Sequence, residues 1–342
     1  VEVPVSQAEL SQAVFQLQQQ LRQPDAQSLA ALKSTSQQLY QWLVAPLATE
    51  LQQNQVQHLV FAQDRITRYV PMAALHDGER FLVERYTVST VLSAALTDTD
   101  DRLEAAESSP VLALGLSQSV PDYSPLPNVT EEVDGIVRTN TDDPTGVFPG
   151  QIFLNDQFTL NTLDTNLRRA RILHIATHAE FVPQVPEGSY LLLGNGDPLP
   201  IAEIRSRGLD LDPLHLVVLS ACQTALGGEA LDGTEIAGVS SYFLGKNKAE
   251  AVMATLWRVD DAGTSLLMRR FYEILATGQV TKAEALRQAQ LSLLNNEADL
   301  AERFTALGRD RGGFVNADVT SEPAGLDHPY YWAPFILIGN GL

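Results

Sequence analysis

Two histidines and a single cysteine are the residues of this sequence whose types and spacing could do chemistry. His174 and His178 lie four positions apart in the mostly apolar run 171–181, and Cys222 lies near the end of a second apolar run. These residue types suit a metal site or a cysteine nucleophile with a histidine partner. A third interpretation is that two buried strands carry polar residues with no chemical role.

The metal interpretation depends on the local structure around the two histidines. On a helix, the spacing of four would place both imidazoles on one face within reach of one ion. The β-branched residues Ile172, Ile175 and Thr177 instead predict a buried strand. On a strand the α-carbons of His174 and His178 lie ~13 Å apart, too far to share one ion. The sequence therefore argues against a zinc or iron site here.

The cysteine and the second histidine make a stronger pair. His178 and Cys222 each fall at the carboxyl end of a predicted strand, the edge where open α/β sheets form their sites. A neighbouring imidazole can lower the pKa of a thiol and protonate a leaving amine. Gly227 and Gly228 leave room for a peptide backbone, and backbone N–H groups at a strand end can bind an oxyanion. His174 lies mid-strand, where a core role is the expected one.

The elements that must position this pair are alternating strands and helices. We predict strands at 111–116, 171–177, 189–193, 215–221, 251–256 and 333–338. We predict helices at about 131–139 and 157–169, from Asp232 to Phe243, from about Asp261 to Thr277, and from a capping box of Thr281 and Glu284. Apolar strands alternating with amphipathic helices predict a mostly parallel sheet with helices on both faces. Pro334 predicts an edge position for the last strand.

The first part of the chain has a different pattern. Ser6 and Glu9 form a capping box before an apolar seam, which predicts an N-terminal helical segment over 1–52. From residue 57 the chain is predicted to form one domain, 57–342. Its first part, 57–109, has short β-branched segments that predict a small β-meander, and its second part, 110–342, is the α/β part that carries the pair.

Composition narrows the class of protein. The chain has 42 acidic and 23 basic side chains and a net charge of −19, which argues against nucleic acid and membrane surfaces as partners. No apolar run is long enough to cross a bilayer. The one cysteine excludes an internal disulfide and fits a cytoplasmic location. The start at Val1, without a leader, fits a mature product or an excised segment of something longer.

Several motifs, taken in order, resemble one family. The motifs are "HIATHAEF", "LLLGNGDPLPIAEI", "LVVLSACQTALGG", "AVMATLWRVDDAGTSLLMRRFYEIL", "TKAEALRQAQLSLL" and "HPYYWAPFILIG". They resemble the CHAT domain family, caspase-like proteins often fused to tetratricopeptide repeats, in the wider group of caspases, separases, gingipains and metacaspases. The resemblance covers about residues 57–340 and implies a caspase-like three-layer α/β sandwich.

The resemblance also implies a site. His178 and Cys222 would be a catalytic dyad that forms a thioester and needs no cofactor and no metal. The family's histidine is usually followed by glycine, whereas this chain has Ala179, whose N–H would help to bind the oxyanion. The segment "LWRVDD" resembles a separase stretch in which an aspartate holds a basic side chain before the scissile bond (P1). Asp260 or Asp261 is therefore a candidate for that pocket, with capping of the following helix as the alternative role.

Two functions from different classes follow. The first is a cysteine endopeptidase that cleaves protein substrates and is regulated by a partner protein or by attached repeats, joined through the N-terminal helices. The second is a signalling or interaction module with a caspase-like fold whose dyad is unused or latent. A latent protease would switch on when a loop reorders, with 182–188 and 309–329 as the candidate segments.

Overall fold

A computed structural model gives the arrangement of most of the chain. It describes residues 2–25, 28–93, 97, 101–182, 188–206, 208–220, 222–224, 233, 236, 242–244, 248–258, 260–297, 299–300, 302–303 and 325–342. Most of the predicted helix from Asp232 to Phe243 and most of the candidate loops at 182–188 and 309–329 lie outside the described residues, as do Gly227 and Gly228.

The larger sheet contains nine strands among the described residues. Their order is β1-β2-β13-β12-β10-β6-β3-β5-β4. The strands are β1 (His58–Phe61), β2 (Thr87–Thr90), β3 (Val111–Gly115), β4 (Val137–Arg138), β5 (Phe148–Leu154), β6 (Ile172–Ala176), β10 (Leu216–Leu219), β12 (Ala251–Thr255) and β13 (Phe335–Gly339). Every neighbouring pair is parallel except β12 and β13.

A smaller sheet continues from the carboxyl edge of the larger one. Its order is β11-β7-β8-β9. It consists of β7 (Ala179–Phe181), β8 (Tyr190–Leu192), β9 (Pro198–Pro200) and β11 (Cys222–Thr224). β7 and β11 are parallel, and the other two pairs are antiparallel. Because β7 follows β6 and β11 follows β10 after only two residues, this sheet brings two chain segments side by side at the site edge.

Helices cover both faces of the larger sheet. They are α1 (Gln7–Leu21), α2 (Ser28–Leu43), α3 (Ala48–Gln53), α4 (Leu82–Arg85), α5 (Val129–Ile136), α6 (Leu160–Leu167), α7 (Ile201–Ser206), α8 (Asp261–Ala276), α9 (Lys282–Leu294) and α10 (Pro329–Trp332). Alternate residues of each strand point to opposite faces. Leu216 and Val218 join one core with α5, α8 and α9, and Val217 and Leu219 join the other with α6 and α7. The predicted three-layer α/β sandwich with a mostly parallel sheet is confirmed.

The N-terminal helices pack on this sandwich. The capping box is present at the start of α1, where the Glu9 N–H donates to Ser6 Oγ and the Ser6 N–H donates to the Glu9 carboxylate. Val14, Leu17 and Leu21 are fully buried and belong to the same core as α8 and α9. The helical segment therefore shares its core with the domain that follows.

The β-meander predicted over 57–109 was wrong. β1 and β2 are parallel, with His58 opposite Thr87, and they lie at one edge of the nine-stranded sheet. The chain between them forms the 3-10 helices Arg65–Tyr69 and Met72–Ala74 and the short helix α4. Between β1 and β2, the short apolar runs bury their side chains in helical turns rather than in strands. Residue type alone does not decide between the two in so short a run.

The edge position predicted for the last strand was also wrong. β13 lies between β2 and β12 inside the sheet. Pro334 directly precedes the strand, so its missing N–H removes no ladder bond, and its carbonyl accepts a hydrogen bond of 3.0 Å from the Leu256 N–H.

Candidate active site

His178 lies between β6 and β7, directly beyond the carboxyl end of a fully buried strand. The neighbouring strand β8 holds the His178 backbone, because the His178 carbonyl accepts a hydrogen bond of 2.9 Å from the Leu192 N–H. The side chain is half-buried at the edge of the sheet.

The ring of His178 is held by the loop between β3 and α5. Its Nε2 lies 2.9 Å from the main-chain carbonyl oxygen of Ser124. A carbonyl can only accept, so Nε2 carries the proton and Nδ1 is the nitrogen able to take one. The Tyr123 ring packs on the imidazole with centroids 4.9 Å apart. The sequence pattern of a cysteine and a histidine shows no group that orients the imidazole. In the structure the Ser124 carbonyl is that group.

The pKa of His178 reflects these surroundings. Burial lowers the pKa below its usual value, and the nearby positive charge of Arg258 lowers it further. The Ser124 carbonyl raises it, because it stabilises the protonated ring. The net shift is downward, so the imidazole is neutral at neutral pH and free to act as a base.

Tyr123 is itself held by a chain of hydroxyl groups. The Tyr190 hydroxyl donates to the Glu180 carboxylate at 2.7 Å, and the Tyr123 hydroxyl lies 2.6 Å from that of Tyr190. Since the Tyr190 proton is engaged by the carboxylate, the Tyr123 hydroxyl donates to Tyr190. The aromatic ring that packs against His178 is therefore fixed from β7 and β8.

Cys222 is the first residue of β11 and is paired with Ala179 in the parallel ladder between β7 and β11. Adjacent strands lie about 4.8 Å apart, so the Cys222 backbone is next to the residue that follows His178. Two residues before Cys222, the Ser220 N–H donates to the Ile175 carbonyl at 3.0 Å. This hydrogen bond joins the carboxyl ends of β10 and β6. The structure thus brings the backbones of the two predicted dyad residues to one edge.

A family model matches most of the chain. The model, described as the CHAT domain, matches residues 33–340. The chain belongs to the CHAT domain family. The match begins within α2 and so includes part of the helical segment as well as the sandwich.

Two solved structures resemble this CHAT domain in fold. One is a complex of Porphyromonas gingivalis RgpB pro- and mature domains, with a TM-score of 0.49 and 8% identity over 98% of this chain and 76% of that chain. The other is the Arg-specific cysteine proteinase gingipain R (RgpB), with a TM-score of 0.49 and 10% identity over 98% of this chain and 74% of that one. No curated protein sequence matches this chain. No helix in the described part is long and apolar enough to cross a membrane.

The two aspartates proposed for the P1 pocket of the CHAT domain lie at the start of α8. Asp260 is the N-cap, and its Oδ1 accepts a hydrogen bond of 3.0 Å from the Gly263 N–H. Burial raises its pKa. The Oδ2 of Asp261 accepts a bond of 2.8 Å from the Asn128 N–H. The capping role of Asp260 is confirmed, and the P1 role of either residue stays a prediction, as does the oxyanion role of Ala179.

His174 has the core role that its mid-strand position predicted. It is fully buried, with Nε2 2.9 Å from the Glu132 carboxylate and Nδ1 3.1 Å from the Tyr272 hydroxyl. Both ring nitrogens therefore have protein partners, and burial raises the pKa of Tyr272. Among the residues that the structure describes, no group of three or more His, Cys, Asp or Glu side chains is placed to hold a metal ion.

Sequence reasoning missed Ser124 and Tyr123, the two residues that hold His178 in this CHAT domain. Ser124 acts through its main chain, which leaves no trace in residue type. The available signal was position: both lie in the loop after β3, which neighbours β6 in the sheet, so the loop leaves the sheet at the same edge as His178.

Proposed function

We propose that this CHAT domain is a cysteine endopeptidase with Cys222 as nucleophile and His178 as acid and base. One observation carries the proposal: the register of β7 and β11 sets Cys222 beside Ala179, the residue that follows a histidine whose ring is already oriented. Family membership supports it, because the matched range includes both residues, and each lies in a motif through which this chain resembles its family.

The proposed reaction follows from the tautomer of His178. Nδ1 first takes the proton of the Cys222 thiol, and the resulting thiolate attacks the scissile carbonyl. Backbone N–H groups at the strand ends, that of Ala179 among them, bind the oxyanion. Nδ1 gives its proton to the leaving amine as the C–N bond breaks and a thioester forms. Nδ1 then takes a proton from the water that attacks the thioester and returns it to the Cys222 sulfur as the C–S bond breaks. At each protonation the Ser124 carbonyl stabilises the imidazolium through Nε2.

The substrate preference and regulation belong to the same proposal. A basic side chain at P1 would pair with Asp260 or Asp261 beside α8. The regulator would be a partner protein or attached repeats that act through α1 and α2, which share a core with the sandwich.

A non-catalytic signalling module is the second candidate function. The observation that favours it is Ala179, where the family's usual residue is glycine. Ala179 is only 5% exposed, so little free space surrounds its methyl group. A glycine there would leave more room for the backbone of a substrate.

Cleavage of a mixed peptide library tests the proposal. The parent chain, Cys222→Ala and His178→Ala would be compared, with products identified by mass spectrometry and folding checked by circular dichroism. We expect cuts by the parent chain alone, with a basic residue before each cut. Equal cutting by Cys222→Ala would contradict the proposed nucleophile, and folded protein that makes no cuts and has an inert thiol would support the signalling module.

A further inference from the structure

A cleft of about 600 Å³ lies beside the candidate histidine. One wall is the loop after β3, with Pro121 and Tyr123, and the other is the β8–β9 hairpin, with Tyr190 and Pro198. Tyr123 has two roles, because the residue lines the cleft and its ring packs on the imidazole of His178. The cleft is therefore separated from His178 only by Tyr123.

The sheet order places this cleft on a definite side of the site. In the order β11-β7-β8-β9, the strand that begins after His178 lies between the strand of Cys222 and the two strands that line the cleft. Along the sheet, the strand of Cys222 and the strands that line the cleft therefore lie on opposite sides of β7, the strand that begins after His178.

The direction of the proposed reaction then assigns the cleft to one part of the substrate. The acyl portion stays bonded to Cys222, and the amine portion must receive its proton from His178. The leaving segment therefore extends from the nucleophile past the imidazole, which is the direction of the cleft. The residues that follow the scissile bond are the ones that reach it.

The lining of the cleft is acidic and aromatic. Asp122 of the loop after β3 and Asp197 of the β8–β9 hairpin are exposed, and none of the described lining residues is Lys, Arg or His. The Asp197 carboxylate is held in place by the side chain of Asn195 at 2.6 Å. Tyrosine rings and prolines can pack against the aliphatic part of a lysine or arginine side chain. The charged group of such a side chain can then lie over a ring face and form a hydrogen bond with a carboxylate.

We propose that this cleft binds a basic side chain of the segment released by cleavage, within the first few residues after the scissile bond. The inference rests on the proposed peptidase function. It adds a specificity site that is separate from the P1 candidates at α8, and the net charge of −19 favours the approach of basic segments.

Paired peptides test the inference. They would share one cleavable sequence before the cut and carry lysine or glutamine at the first, second or third position after it. We expect the parent chain to prefer lysine at one position by about tenfold or more in kcat/KM, the size of a charge-assisted hydrogen bond. The double substitution Asp122→Asn with Asp197→Asn keeps the shape of both side chains and should bring this ratio close to one. Because the ratio is internal to each protein, it does not depend on the amount of folded enzyme.

Asp164→Asn is the matched control, since it removes an exposed carboxylate on α6 away from the cleft and should keep the lysine preference. Cleavage without any preference at these positions would overturn the inference while leaving the peptidase intact. Preference that survives the double substitution would overturn it as well. Absence of all cleavage would overturn the peptidase proposal, and the inference would fall with it.

Discussion

At the scale of single residues, the protonation of His178 is the quantity on which the proposed chemistry depends. Its imidazole donates through Nε2 to a main-chain carbonyl, which leaves Nδ1 to exchange the proton. Burial and the charge of Arg258 keep the ring neutral at neutral pH. A neutral ring can accept the proton of a thiol, and the carbonyl then stabilises the cation that results.

We predict that Arg258→Gln raises the pKa of His178. The substitution removes a positive charge that disfavours the imidazolium. The measurement is an NMR titration of the histidine ring signals in parent and variant. Arg258→Lys keeps the charge and is the matched control, so its pKa should equal that of the parent. Equal pKa values in all three proteins would show that Arg258 does not act on His178.

We predict that two substitutions at Asp260 separate the role of its negative charge in the P1 pocket from its role as the N-cap of α8. Asparagine caps a helix about as well as aspartate, so Asp260→Asn should keep the stability of the parent, whereas Asp260→Ala should lose about 1 kcal/mol. If Asp260 holds a basic P1 side chain, the asparagine variant should lose its preference for arginine over glutamine at P1. Denaturant unfolding and paired-peptide kinetics measure the two effects. An unchanged P1 preference would remove Asp260 from the pocket and leave it as a cap.

At the scale of elements, His328 joins two helices that are far apart in sequence. It caps α10, where Nδ1 accepts from the Tyr330 N–H at 3.1 Å, and its Nε2 lies 3.4 Å from Ser28 Oγ at the start of α2. The capping bond needs an unprotonated Nδ1. Burial lowers the pKa of His328 from 6.5 to about 4.

This lowered pKa predicts a loss of stability in acid. Between pH 6.5 and 4 the unfolded chain binds a proton at His328 and the folded chain does not, so the free energy of unfolding falls as the pH falls. The full loss is about 3 kcal/mol, and about 2 kcal/mol of it is reached at pH 5. His328→Asn keeps an acceptor for the cap and does not titrate. Urea unfolding at pH 7 and pH 5 should show the larger loss in the parent, and equal losses would contradict the assignment.

The sequence pattern and the family resemblance predicted the central strands and helices, because apolar runs, helix caps and family motifs indicate the same elements there. β3, β6, β10 and β12 are continuous apolar strands, and the caps at Asp260 and Thr281 mark the starts of α8 and α9. The region 57–109 was misassigned because its short runs fit strands and turns equally well. The position of β13 was misassigned because Pro334 lies just before the strand. The Ser124 carbonyl could not be predicted, since a loop's main-chain contact depends on the whole fold.

At the scale of the whole molecule, the N-terminal helices are part of the core rather than an attachment to it. Val14, Leu17 and Leu21 of α1 are fully buried. The 3-10 helix Arg65–Tyr69 contacts both α1 and Gly233. Gln18 of α1 donates to its Tyr69 carbonyl, and the Tyr69 hydroxyl accepts from the Gly233 N–H at 3.1 Å. Direct hydrogen bonds therefore link α1, through Tyr69, to Gly233.

We predict that deleting residues 1–22 unfolds the chain. Burial of each of the three apolar side chains contributes about 1.5–3 kcal/mol, and their sum of roughly 5–9 kcal/mol is comparable with the whole stability of a typical domain. Deletion of residues 1–4 is the control and should leave the unfolding transition in place. Thermal unfolding followed by circular dichroism measures both. A cooperative transition at the parent's Tm in the longer deletion would show that the helical segment is independent.

The pH dependence of alkylation at Cys222 is the measurement that tests the account most directly. The protein has one cysteine, so the mass added by iodoacetamide reports on this thiol alone. If His178 activates it, the folded parent should reach its half-maximal rate well below the pKa of about 8.5 of a free thiol. His178→Ala should move that midpoint upward, and His58→Gln, a change at the amino end of the edge strand β1, should leave it in place. A thiol that reacts only on unfolding, or whose midpoint does not respond to His178→Ala, would contradict the proposed dyad.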